Sequence, residues 1–346
     1  MKYMGKRHRI IEEDLSIITQ AILPWEELQG KRILITGATG FIGSYIVETL
    51  AYLNETKKTS PIKIYALARD MEKLSKRFSH LLSRADFVPV IQDVNIPWVP
   101  SEKIDFIIHA ASEASSKAYL QVPVDTIKAN TLGTMNLLEL AKHNDSKLLF
   151  LSSGAVYGDS GEQEISETSY GVVDPLHTHS CYSESKRLGE AMCMAYWNQY
   201  DTSVTIARIS HTYGPGLDLD DGRVFTDFIA DVIAGRNISI NSDGLGSRPF
   251  CYITDLIRGL FFILINGLSG NAYNVGVSEE LSIMELAELI IRISGKKYLN
   301  IRRNKSGGEA VMRASGHFNA NKLKQLGWDV LVSPETGFER MYRYYL

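Results

Sequence analysis

Three cysteines in 346 residues are too few for a disulfide framework. Cys181, Cys193 and Cys251 show no C-x-x-C or other metal-ligand spacing, so no metal is expected. No apolar run reaches the ~20 residues that cross a bilayer. The longest, around Leu260 to Ile265, is far shorter. The opening Met-Lys-Tyr-Met-Gly-Lys-Arg-His-Arg lacks the uninterrupted apolar core of a secretion signal. Charge of neither sign dominates: 37 Lys and Arg face 40 Asp and Glu, a net of −3. That balance gives no basic field to recruit nucleic acid or an anionic membrane. The expectation is a cytoplasmic globular protein without nucleic-acid or membrane partners, in which a few local arginines hold any anionic ligand.

What the chain does have is alternation. Residues 8–23 carry Ile10, Ile11, Leu15, Ile18 and Ile22 near helical spacing, ahead of Pro24. From Lys31 on, short apolar strands (32–36, 62–67, 87–91, 106–109, 148–151, 204–209) alternate with helical stretches (41–53, 71–82, 127–142, 183–199). This predicts an α/β fold, a Rossmann-type doubly wound parallel sheet covered on both faces. After about residue 210, loops rich in Gly, Pro and Asp alternate with short helices. The predicted organisation is an N-terminal helical extension over 1–30, a dinucleotide-binding domain over 31–210, and a smaller C-terminal substrate lobe over 211–346, partly interleaved with the main sheet.

The first strand runs straight into Thr36-Gly37-Ala38-Thr39-Gly40-Phe41-Ile42-Gly43. Gly37 permits a tight turn, Gly40 lets backbone approach a pyrophosphate, and Gly43 lets helix and strand pack closely. Free N–H groups at the helix start then face the anion. Thr39, Phe41 and Ile42 fall at that start and join the expected cofactor contacts. The end of the second strand ordinarily selects the cofactor: an acid grips the adenosine ribose, an arginine favours a 2′-phosphate. Here it reads Ala68-Arg69-Asp70. NAD is the expected cofactor; NADP stays open because Ala68 replaces the acid and Arg69 follows it, although Asp70 could swing in. Asp93, after the third strand, is either an adenine contact or a loop cap.

Tyr182 and Lys186 are four apart on a predicted helix and share a face. Ser152-Ser153 ends the preceding strand. A tyrosine phenol ionises near pH 10, so using it as a base at neutrality costs about 4 kcal/mol. One cation at ~4 Å in a partly buried site supplies energy of that order. Ser153, Tyr182 and Lys186 are therefore the candidate catalytic set, with Ser153 bonding the reacting oxygen. Tyr182 and Lys186 would also touch the cofactor.

Beyond these pieces, the chain carries His109-Ala-Ala-Ser, Lys128-Ala-Asn130-Thr-Leu-Gly-Thr, Ser152-Ser-Gly-Ala-Val-Tyr-Gly158, Tyr182-Ser-Glu-Ser-Lys186, Thr212-Tyr-Gly-Pro215, Asp221-Gly-Arg-Val-Phe, Ser247-Arg-Pro-Phe-Cys-Tyr and Leu326-Gly-Trp328. Over about residues 31–340 the chain resembles the extended short-chain dehydrogenase/reductases acting on nucleotide sugars, the NAD-dependent epimerase/dehydratase family. From Ala111 to Asp255 it is most similar to UDP-glucuronate decarboxylases. The resemblance implies a nucleotide-diphosphate sugar substrate, a homodimer, and cofactor contacts at Ala110 and Ala111. For substrate it implies Arg223, Arg248 and Arg313 at the diphosphate and ribose, with His211 near the phosphates. Asn130 joins this set as a tie from the central helix to the active-site backbone. His177 and His179 read as loop residues.

One departure bears on the reaction. The decarboxylases and 4,6-dehydratases resemble Ser-Thr-x-Glu-Val-Tyr-Gly at the strand end, whereas this chain has Gly154 and Ala155 in the middle positions. An acid-free motif resembles the 4-epimerases. The expected activity is therefore nucleotide-sugar epimerisation at C4: hydride passes from the sugar to bound NAD(P), a 4-keto sugar turns over in the pocket, and hydride returns. The alternative is decarboxylation or 4,6-dehydration, with Glu184 or Glu164 replacing the acid. A cofactor-binding sensor without catalysis would be expected to lose the Tyr–Lys pair.

Overall fold

The structure is a computed structural model and describes residues 7–57, 60–303 and 316–346. Seven parallel strands form its centre: β1 (Arg32–Thr36), β2 (Lys63–Ala68), β3 (Phe87–Ile91), β4 (Phe106–His109), β5 (Lys147–Ser153), β6 (Val204–Ile209) and β7 (Asn271–Val275). Their order is β7-β6-β5-β4-β1-β2-β3. The chain steps from β1 to β2 on one side and reaches β4 on the other, so the order reverses between β1 and β4. In doubly wound sheets ligands bind at the carboxyl ends of the strands flanking such a switch.

Alternation along each strand builds two cores. Ile33 and Ile35 of β1 and Leu149 and Leu151 of β5 face a core shared with α1 (Arg9–Thr19), α2 (Phe41–Thr56) and, further along the chain, the helix Ile253–Asn266. Leu34 of β1 and Leu148 and Phe150 of β5 face the opposite core. Other main helices are α3 (Met71–Arg77), α4 (Ser116–Gln121), α5 (Pro123–Lys128), α6 (Thr134–Asn144), α7 (Ser180–Tyr200) and α8 (Val224–Ile233). Leu137 and Leu138 of α6 and Cys193 of α7 close the second core. All three cysteines are free thiols. The sheet is not built from the first 210 residues alone: β7 pairs with β6 in parallel, Asn274 opposite Arg208.

The elements differ from the sequence pattern in three places. The first helix stops at Thr19 and does not run to Pro24. The helix expected over 71–82 ends at Arg77, because Phe78 and Leu81 turn into the core and are fully buried. The helix expected over 127–142 is interrupted by a π-helical turn, Ala129–Gly133, holding the buried Asn130.

The N-terminal helix is fastened by a buried carboxylate. Asp14 accepts hydrogen bonds from Tyr45 of α2 at 2.9 Å and from Tyr252 at 3.0 Å, and pairs with Arg340 at 2.8 Å. Arg340 belongs to the last helix, Pro334–Tyr344. Burial pushes the Asp14 carboxyl up to about 6, against the pull of Arg340 and the two phenols. A carboxyl raised in the folded state stabilises the fold below its ordinary value of 3.8 and loses that contribution as pH rises through about 6. We predict that urea denaturation shows wild-type stability falling by about 2–3 kcal/mol relative to Asp14→Asn across that window. We also predict that Asp14→Ala, which takes the acceptor from Tyr45 and Tyr252 and leaves Arg340 to Glu13, costs about 1–3 kcal/mol at neutral pH.

Candidate active site

The site starts at the glycine turn. Gly37 has φ +63°, a backbone conformation that L side chains rarely adopt, and a Cβ there would lie 2.7 Å from Ala110 O. A Cβ on Gly43 would lie 2.2 Å from Gly37 O. The loops after β1 and β4 therefore touch backbone to backbone, and Ala110 and Ala111 border the turn. Thr36 and His109 seal this switch point: Thr36 Oγ1 lies 2.8 Å from His109 Nδ1 and accepts from Ala111 N at 3.2 Å. Burial, then the nearby Lys186, holds the His109 imidazole down at about 3, so it is neutral. The turn opens α2, whose first N–H groups have no partner within the helix. A dinucleotide pyrophosphate fits such a cradle, which a side chain at 37 or 43 would fill.

Ser153 ends β5; its hydroxyl accepts from Ala155 N at 3.2 Å and, lying near the Tyr182 phenol, favours the ionised form of that phenol. Lys186, one turn along α7, is 3% exposed. Its amine donates to Leu151 O at 2.7 Å and stands 6.0 Å from the centre of the Tyr182 ring. The structure thus brings Ser153, Tyr182 and Lys186 to one corner. Burial raises the Tyr182 phenol above its ordinary value, and Ser153 and Arg223 oppose the rise. Burial lowers the Lys186 amine to about 7, with Glu190 and Cys193 opposing.

Two further groups shape this corner, and the sequence reading missed both. Tyr119 of α4 stacks on Tyr182, ring centres 5.3 Å apart and planes at 11°, and its hydroxyl meets His179 Nδ1 at 3.3 Å. Nothing in the sequence pattern singles it out. Glu190 was findable, since 182, 186 and 190 share one helix face. It binds Arg208 at 2.7 Å and accepts from Ser152 at 2.5 Å, locking α7 onto β5 and β6.

Among the residues expected at the substrate, His211 lies near enough to Arg248 and Arg223 for both to act on its imidazole. His211 opens onto the cleft; the enclosing protein, then Arg248 and Arg223, push its imidazole down to about 4. Arg223 caps α8, bonds Thr212 O at 3.3 Å and pairs with Asp221 at 3.2 Å. Arg313 lies outside the described residues. Asn130 does not face the cleft: it is fully buried and its amide donates to Ser185 Oγ at 2.9 Å, so it ties the π-helical turn to α7 and is no substrate contact. Asp93 caps its own loop, accepting from Asn95 N at 2.9 Å. Asp70 is not free to swing in, because it caps α3 by accepting from Glu72 N and Lys73 N. Arg69 meets Glu113 at 2.9 Å on the surface.

No acid stands at the strand end. Gly154 and Ala155 open a 3-10 turn, Gly154–Tyr157, and a Cβ on Gly154 would fall 2.6 Å from the Phe318 ring. Glu184 instead meets Arg187 at 3.5 Å, and Glu164 is exposed beside His317. Among the described residues, no three His, Cys, Asp or Glu side chains are grouped to hold a metal, and no helix is long and apolar enough to cross a membrane.

The family model described as "NAD dependent epimerase/dehydratase family" matches residues 33–276. The chain belongs to this family. Within the epimerase/dehydratase family it is an extended short-chain dehydrogenase/reductase of the nucleotide-sugar type. Similar curated members include UDP-glucuronic acid decarboxylase 1 of Xenopus tropicalis, 32% identical over 92% of this chain and 73% of the relative. UDP-glucuronic acid decarboxylase 6 of Arabidopsis thaliana is 36% identical over 75% of this chain and 73% of its own. Among solved structures, an epimerase from Methanothermobacter thermautotrophicus shares the fold at TM-score 0.80 and 21% identity, covering 97% of this chain and 95% of that one.

The family's Tyr–Lys pair is thus present here with its lysine poised near neutrality. A depressed amine disfavours the fold below about 7, and the penalty lifts as pH rises toward 10.5. We predict that Lys186→Met is the more stable protein at pH 7 and that its advantage shrinks by on the order of 4 kcal/mol toward pH 10.5 in urea denaturation.

Proposed function

We propose that this protein oxidises the C4 hydroxyl of a nucleotide-diphosphate sugar, and that its net reaction is decarboxylation of a UDP-hexuronate. The observation that supports the first step is the grouping of Ser153 at the end of β5 with Tyr182 and with Lys186, whose amine stands 6.0 Å from the Tyr182 ring and bonds Leu151 O. Gly37, Gly40 and Gly43 would hold the pyrophosphate of a dinucleotide, with Thr39, Phe41 and Ile42 at the helix start. The bound nicotinamide supplies a hydride acceptor. Tyr182 receives the hydroxyl proton, and Ser153 holds the reacting oxygen. Residues 211–346 supply the substrate side, where Arg223 and Arg248 match a diphosphate and the neutral His211 offers a hydrogen bond without further charge.

Oxidising C4 of a hexuronate makes a β-keto acid. Such an acid loses carbon dioxide without help from a side-chain carboxylate, so Ala155 is compatible with decarboxylation. Elimination of water does require an acid and a base, so Ala155 counts against 4,6-dehydration. The relatives named UDP-glucuronic acid decarboxylases, 32–36% identical, favour this outcome over epimerisation. A second reading, C4 epimerisation, is favoured by the acid-free Gly154-Ala155 turn alone, since that reaction needs only the Ser–Tyr–Lys set.

The deciding experiment incubates the enzyme with UDP-glucuronate, UDP-glucose and their N-acetylated and dTDP-linked counterparts, and follows product mass. Loss of carbon dioxide from UDP-glucuronate is expected; conversion without mass change would transfer the assignment to epimerisation. Tyr182→Phe should lower turnover by about a hundredfold or more while melting stays within a few degrees of wild type; unchanged turnover would remove Tyr182 from the mechanism.

Part of the same proposal is a homodimer built on the faces of the π-helical turn, α6 and α7. Leu132, Met135 and Leu188 are 52%, 40% and 50% exposed there. Light scattering is expected to give twice the chain mass, and Leu188→Arg to shift it toward one chain.

A further inference from the structure

The adenosine end of the cofactor site carries cations where a ribose-binding acid ordinarily stands. β2 closes on Ala68, which is buried and has no polar side chain. Asp70, two residues on, is the nearest acid in the chain. Its Oδ1 accepts from Glu72 N at 2.8 Å and Lys73 N at 3.1 Å, so gripping a ribose would uncap α3. Arg69 lies between them with its side chain 63% exposed, held among the described residues by the Glu113 pair alone. Exposed pairs of this kind are weak.

α3 adds more positive charge beside the glycine turn. Lys73, Lys76 and Arg77 line a cavity of ≈ 520 Å³ together with Thr39. Arg77 approaches Thr39 O at 3.5 Å. Among the described residues, none of these three cations has an ion-pair partner. Of the two acids on the cavity wall, Glu48 is engaged by Arg7 and His80, which leaves Asp218.

We infer that the dinucleotide site selects the 2′-phosphorylated cofactor, NADP(H), with Arg69 and the cations of α3 receiving the extra phosphate. A phosphate dianion suits an arginine fork and neighbouring ammonium groups, and no carboxylate at the strand end repels it. Glu113 yields its exposed contact with Arg69 to the more highly charged ligand. The inference rests on the glycine turn being a dinucleotide site and is independent of which sugar reaction follows.

The experiment titrates the full-length protein with NADPH and with NADH in the absence of sugar, following nicotinamide fluorescence. NADPH is expected to bind about tenfold or more tightly than NADH, with the preference shrinking as salt rises. The double variant R69A/K76A changes two surface side chains, and thermal melting verifies its fold. It is expected to lose most of the preference while its NADH affinity stays within about twofold. NADH binding as tightly as NADPH, or a preference unchanged in the variant, would overturn this inference and leave the proposed sugar chemistry standing. Failure of both dinucleotides to bind would overturn both.

Discussion

One buried ion pair holds the catalytic corner in shape. Glu190 of α7 and Arg208 of β6 meet through several contacts of 2.7 to 3.2 Å, inside the protein. Burying two charges is costly, and the cost is recovered only where geometry is good and the remaining polar atoms find partners. That condition is met. Ser152 donates to Glu190, while Arg208 also reaches Tyr157 OH and Glu167 O. Tyr157 in turn donates to Asn274 of β7 at 2.6 Å. The pair therefore joins three adjacent strands to the helix that carries Tyr182 and Lys186, and it fixes the end of β5, where Ser153 stands.

Within this frame, the proposed chemistry depends on the charge state of two groups. Burial alone works against the phenol and against the amine, raising one and lowering the other. The cation acting on the phenol is Arg223, from the substrate side. The field favouring the ionised phenol thus comes in part from an element other than the helix that carries it.

The sheet was legible because buried parallel strands write themselves as short apolar runs, and six of the seven stand out in the first 210 residues. The seventh, Asn271–Val275, carries two asparagines and hides its role. The glycine turn and the Ser153, Tyr182, Lys186 set were legible from spacing, because strand ends and helix turns fix neighbours along the chain. Contacts between distant segments were not. Tyr119 reaches Tyr182, 63 positions further along the chain, through the placement of a short helix. Asn130 has the composition of a ligand contact and the location of a structural tie, because a π-helical turn rotates it inward. The fate of Asp70 was equally hidden, since capping is decided by where a helix actually begins.

The shared carboxylate at Asp14 has a consequence for how the molecule comes apart. The first and last helices use the same anion, so neither can peel away without stranding a charge left behind by the other. Tyr45 links that junction to the helix opened by the glycine turn. Loosening at either end of the chain is thereby passed, through the Tyr45 hydroxyl, toward the helix that the glycine turn opens.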